Sequence, residues 1–220
     1  MTDAHCHVCR GEGRRFICDP AGSVPGPGDV VFRGWHPWFL DGYDADALRA
    51  ALAGDPALGV GEIGLDRLRS REIPERMRAA FEGQLAIAAE FARPVVLHGA
   101  KCWGQVAAAC RQYAGRIPAF LFHGFSRSGG LIPEIEAMNG FISVGPALLN
   151  DHAVNYRELA ASVPEGMLLV ESDATADSAS SLPSVDEVAA RLAALRGMSA
   201  EGMASVLEAN ADRFAQSLRR

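Results

Sequence analysis

Lysine is almost missing from this chain. Of 21 basic residues 20 are arginine, and the single lysine is Lys101. With a formal net charge of −6, the scarcity argues against a protein that coats nucleic acid with a broad basic surface, although it leaves room for a local basic mouth. Long apolar runs are absent too. No stretch approaches the roughly 18 residues needed to cross a bilayer. The first residues lack a basic region followed by an apolar run, so the reading expects no secretory signal, no membrane partner and a cytoplasmic setting. Five cysteines are an odd number for a disulfide framework, and 220 residues are enough to bury a core without one. The arginine bias and the abundance of alanine are a compositional skew, which reduces the weight of alanine-rich segments as helix evidence.

What is present has a rhythm. Short β-rich runs occur at Thr2–His5, Arg15–Cys18, Val30–Gly34, Leu58–Ile63, Pro94–His98, Ala119–His123, Phe141–Val144 and Met167–Ser172. Between the later ones lie segments with helical periodicity. Asp44 is an N-cap candidate with Leu48, Ala51 and Leu52 behind it, and Met77, Phe81, Leu85 and Ala88 recur on one helical face. Further helices are expected at 102–113, 131–139, 151–162, 185–195 and 200–218. Eight strands alternating with helices predict a (β/α)8 TIM-like barrel spanning 1–220 as one unit. Arg10–Asp29 is rich in glycine and proline, so the first helices are expected to be reduced to loops.

The chain has only six histidines, and two of them, His5 and His7, stand one residue apart in its first strand-like run. On a strand both would face one side. A metal pair, a Cys6–Cys9 redox motif and chance spacing are all open readings of that run. Other strand ends bear on the choice. Glu62 lies in "GVGEIG", His98 ends "PVVLH", His123 ends "AFLFH" and Asp173 follows "MLLVES". In a barrel these carboxyl ends form one ring, where active sites sit. Four imidazoles and two carboxylates suit Zn, Mn, Ni, Co or Mg, and six ligands match a two-metal centre better than one tetrahedral ion. Cys6 then packs inward and the redox spacing is coincidental. Cys18, Cys102 and Cys110 are core or helix residues, and His152 is a surface residue.

In their order, "DAHCH", "GWHP", "GEIGLD", "VVLHG", "FHGFS" and "LLVESD" resemble the motifs of the TatD family of metal-dependent hydrolases, and "NADRF" resembles its usual ending. The resemblance implies two divalent ions, one on His5, His7, Glu62 and Asp173, with Glu62 bridging to another on His98 and His123. It implies hydrolysis by activated water, with Asp173 and Glu62 as the catalytic carboxylates, and His36 near the substrate. Phosphodiester bonds of small or single-stranded nucleic acid are the expected substrate, with no obligate protein partner. A non-nucleic ester, amide or lactone, or a non-catalytic metal-binding scaffold, are the alternatives. The chain departs from the family pattern at "GAKC", where a serine-arginine-aspartate run is usual, and in "ESDATAD", which lacks a common proline. Arg67, Lys101 and Arg127 follow site-bearing strands and are candidates to bind an anionic substrate.

Overall fold

The computed structural model describes residues 1–9, 12–18, 24–126 and 129–219. Eight strands form one parallel sheet in sequence order: β1 (Asp3–Cys6), β2 (Arg15–Cys18), β3 (Val30–Arg33), β4 (Gly59–Asp66), β5 (Val95–Ala100), β6 (Phe120–Phe122), β7 (Gly140–Val144) and β8 (Leu168–Val170). The ends of the sheet meet just beyond the strands. Asp173 N–H donates to His5 O at 3.0 Å and His7 N–H donates to Ala174 O at 2.8 Å. The Asp3 carboxylate stitches the same seam, accepting from the backbone N–H of Ser172 at 2.9 Å and from its hydroxyl at 2.5 Å.

Among the described residues seven α-helices accompany the sheet: α1 (Ala45–Gly54), α2 (Glu75–Glu90), α3 (Trp103–Arg111), α4 (Ile132–Ala137), α5 (Val154–Ser162), α6 (Val185–Arg196) and α7 (Ala200–Gln216). Their ends follow local chemistry. The Asp44 carboxylate accepts from two first-turn N–H groups of α1, as expected of an N-cap. Ser184 and Glu187 form a reciprocal capping box on α6, which stops at Gly197 in the left-handed conformation. Among the described residues, none between β1 and β3 is helical, in keeping with the expected loops. No helix of the described residues is long and apolar enough to cross a membrane.

Helices bury one face against the outside of the sheet, α2 through Ala80, Phe81, Leu85 and Ala88 and α6 through Val188, Ala189 and Leu192. A second cluster fills the interior, with Val96 and Leu121 two residues before His98 and His123 and thus on the same strand faces. Phe214 of α7 enters this cluster, with ring centroids 5.4 Å from Phe16, 5.5 Å from Phe141 and 5.9 Å from Phe32. Each of these phenyl groups is buried. Phe214→Ala should therefore lower unfolding stability by about 3–5 kcal/mol in denaturant titration, because three facing rings cannot collapse into the void together.

Candidate functional site

Glu62 lies inside β4 and its side chain is almost wholly buried. Its two oxygens face different partners. Oε2 is 3.4 Å from His5 Nε2 and 3.2 Å from His7 Nε2, both at the end of β1. Oε1 is 2.7 Å from His98 Nδ1 at the end of β5 and 2.7 Å from His123 Nε2 just past β6. Asp173 closes the first group, with Oδ1 3.4 Å from His5 Nε2 and 3.8 Å from His7 Nε2. The six residues singled out in the sequence thus meet around one carboxylate. Asp173 holds a left-handed backbone, φ 50°, immediately after the seam with β1.

What lies behind each ring decides which nitrogen faces inward. His7 Nδ1 is 3.1 Å from the Cys18 carbonyl, which can only accept, so a proton sits there and Nε2 is left to face Glu62. His98 Nε2 is 2.9 Å from the buried Asp66 carboxylate, leaving Nδ1 to face the site. His123 Nδ1 is 3.5 Å from Glu171, itself anchored by the Ser143 hydroxyl. Outer carboxylates and carbonyls of this kind orient metal-ligating histidines.

His36 is arranged the other way. Its Nδ1 accepts the Trp38 backbone N–H at 3.1 Å, and burial lowers its pKa to about 4, so the neutral ring carries its proton on Nε2. That N–H points into the site, 3.4 Å from His98 Nδ1 and 3.7 Å from Glu62 Oε1. Proximity alone would group His36, Glu62 and His98 as ligands. The proton on Nε2 makes His36 a donor instead. Gln84 of α2 fixes its loop, accepting from Trp35 N–H and donating to Trp35 O.

The donor set fits divalent cations. His5 is fully buried, and neither of its ring nitrogens has a hydrogen-bond partner among the described residues. Orphaned polar atoms of this kind require an explanation, and an ion beside Glu62 and Asp173 supplies one for Nε2, the nitrogen that faces them. Two ligand atoms about 2.1 Å from one ion at a tetrahedral angle are about 3.4 Å apart. The His5, His7, Glu62 and Asp173 edges, at 3.2 to 3.8 Å, match that spacing. The 2.7 Å contacts of His98 and His123 to Glu62 are hydrogen-bond lengths instead.

Without a cation, protons do the neutralising. Burial opposes charge on His123, yet Glu62 and Glu171 hold its pKa up at about 10. His5 is likewise held well above its usual range against burial, in the field of Glu62 and beside Asp173. Burial would raise Glu62, but the His123 and His5 imidazoles keep it well below the carboxylate range. A divalent cation held by these residues would replace that positive charge.

Arg67 and Lys101 stand where expected, on loops beyond β4 and β5, and line a shared cavity of about 460 Å³ with Leu68, Arg69, Ser70 and Arg71. Arg127 lies outside the described residues. Cys6 packs against Ile17 and Ala174, its thiol 3.9 Å from Phe16 O, which leaves the Cys6–Cys9 spacing without a redox role. Cys18, Cys102 and Cys110 are buried and His152 is exposed. Asp66 and Glu171 went unread in the sequence. Asp66 had a signal, since it follows Glu62 by four residues on one strand and so shares its face.

Residues 28–216 match the model of the TatD related DNase family. The "3'-5' ssDNA/RNA exonuclease TatD" of Klebsiella pneumoniae (strain 342) is 34% identical over 125 residues, 56% of this chain and 48% of that protein. The "Uncharacterized metal-dependent hydrolase YabD" of Bacillus subtilis (strain 168) is 26% identical over 193 residues, covering 82% of this chain and 75% of that protein. This chain therefore spans about half the length of the exonuclease it matches and most of the hydrolase. Among solved structures, the TatD homolog YJJV from Escherichia coli K12 superposes with a TM-score of 0.80 over 97% of this chain and 96% of that one, at 23% identity, and bears on the fold alone. With the model covering most of its length, the chain belongs to the TatD related DNase family.

Proposed function

We propose that the protein is a hydrolase of single-stranded nucleic acid that uses two divalent ions to cleave phosphodiester bonds, acting as one unit over its whole length in the cytoplasm. The observation that carries this reading is the division of Glu62, with one oxygen toward His5 and His7 and the other toward His98 and His123. A carboxylate so placed suits a bridge in a two-ion site. The first ion would be held by His5, His7, Glu62 and Asp173, and the second by Glu62, His98 and His123.

When bound, the ions would polarise a phosphoryl oxygen and lower the pKa of a water from about 15.7 towards 7. The chain's own groups perform the remaining tasks. Asp173 is about half-exposed and its carboxylate faces the opening, where it accepts a proton from the attacking water. His5 and His123 hold this carboxyl below its usual range against burial, so it is ionised and ready as a base. His36 donates its Nε2 proton in a hydrogen bond to a phosphate oxygen. Arg67 and Lys101 attract the phosphate, and their charge favours a phosphodiester over a neutral amide or lactone. Lys101 is held with φ 58°, a left-handed backbone that costs a non-glycine residue of order 1–3 kcal/mol.

The function is tested with a panel of single-stranded DNA and RNA oligonucleotides, lactones, esters and amides across Mg, Mn, Co, Ni and Zn. Turnover of the oligonucleotides is expected, and turnover confined to neutral esters or amides would overturn the reading. Elemental analysis after saturation and desalting should approach two ions per chain. The ions should load in two steps, because the first group already has ligand spacing and the second must open its hydrogen bonds.

Asp66→Ala should weaken the second ion about 10- to 100-fold in chelator-competition titrations and leave the first in place, because His98 loses the acceptor that orients it. Asp173→Asn should cost at least about 10²-fold in kcat, since an amide cannot take the proton. Asparagine tolerates the left-handed backbone of this position, so the fold should persist. Near-normal kcat with full metal content in that variant would remove Asp173 from the mechanism.

A further inference from the structure

Five large hydrophobic side chains are conspicuously exposed among the described residues; two of them, Trp38 and Phe39, stand beside the histidine cluster, and a third, Leu68, lines the neighbouring cavity. Trp38 is 37% exposed, Phe39 67% and Leu68 55%. The Trp38 ring centroid lies 5.1 Å from that of His36 and 6.3 Å from that of His98, and Phe39 lies 5.7 Å from His36. The Arg69 guanidinium rests over the indole, with Cζ 3.8 Å from its centroid. Leu68 and Arg69 also line the cavity with Arg67, Arg71 and Lys101. None of these four cations has a carboxylate within 4.0 Å among the described residues.

An aromatic shelf and an unneutralised cationic cavity thus adjoin each other beside the histidine cluster. Each part needs a different portion of one ligand. A planar apolar group satisfies the shelf, and an anion within the same molecule satisfies the cavity. A single-stranded nucleic acid supplies both in every repeat, and its unpaired bases leave a π-face free to stack.

We propose that Trp38 and Phe39, backed by Arg69, form a stacking subsite for the nucleobase next to the scissile phosphate, while Arg71 and Lys101 hold the following phosphate. The inference rests on the phosphodiesterase reading above and adds how the strand is seated. Stacking takes any base, so the subsite confers a demand for an unpaired nucleotide and little sequence preference. At a duplex end each base is paired and stacked on its inner neighbour, so it must leave the helix before it can lie on the shelf.

The test uses the metal-loaded full chain with two single-stranded oligonucleotides, one complete and one abasic at the nucleotide flanking the cleaved bond. Trp38→Ala and Phe39→Ala sit at exposed positions, and metal content is measured on each preparation. For the complete strand, Trp38→Ala should raise KM about 5- to 150-fold, the range expected for one lost base–aromatic stack. The abasic strand should show a similar rise with the unaltered protein, and the two losses should not add, because both remove the same contact. Unchanged KM in both variants, or fully additive losses, would overturn the subsite and leave the phosphodiesterase reading in place. No cleavage of either strand by the unaltered, metal-loaded protein would overturn both.

Discussion

A carboxylate buried inside a barrel is tolerable only if positive charge surrounds it, and Glu62 sets that requirement for the whole molecule. Its side chain is almost fully withdrawn from water in the middle of β4. An ionised group in such a place is costly unless paired and hydrogen-bonded. Four imidazoles answer it, from chain positions 5, 7, 98 and 123, and only a closed parallel sheet brings segments so distant in sequence to one ring. The interior cluster beneath, built on Val96, Leu121 and Phe214, keeps those strand ends at fixed separations. Packing and electrostatics are thus two parts of one construction, with the apolar plug below and the charged ring above.

The ring is not uniform, and the difference comes from groups that never enter it. His7, His98 and His123 each turn one nitrogen outward toward a carbonyl or carboxylate, which leaves the other facing Glu62, to bear a proton toward the carboxylate or, once that proton is given up, a lone pair toward a cation. His36 turns its lone pair outward to the Trp38 N–H and so presents a proton. Identical side chains within a few ångströms acquire opposite chemistry, acceptor toward a cation or donor toward an anion, from a single partner behind each ring. The loop bearing His36 must then be rigid, and Gln84 makes it so by bonding both the N–H and the carbonyl of Trp35.

Much of this was legible in the sequence, for a physical reason. Strand ends in a barrel are few and their faces alternate with period two, so an ionisable residue closing an apolar run announces itself. His5, His7, Glu62, His98 and His123 were readable in that way, as were the eight strands, within a few residues at each end. Glu171 was not, because a carboxylate just past a strand reads as a solvated loop residue until its burial is known. The orientation of His36 was also invisible, since a backbone N–H two residues on chooses its tautomer. Neither could the shelf be read, as "HPWF" looks in one dimension like a buried aromatic cluster. Exposure, which separates the two, is a property of the folded chain.

The seam of the barrel explains why Asp173 in particular faces the cluster. Parallel strands must close between first and last, and here closure falls just beyond β8, where Asp173 N–H reaches His5 O. The same hydrogen bond that shuts the barrel therefore sets Asp173 beside His5. Asp3 holds the next residue back, bonding both the amide and the hydroxyl of Ser172, and burial raises its own pKa to about 6. With Ser172 pinned and Ala174 tied to His7, the residue between them has little freedom, and its left-handed φ of 50° turns its side chain toward the two histidines. Closing the fold and placing the base are one event, so a change that loosens the β1–β8 seam acts first on Asp173, His5 and His7, and on His98 and His123 only through them.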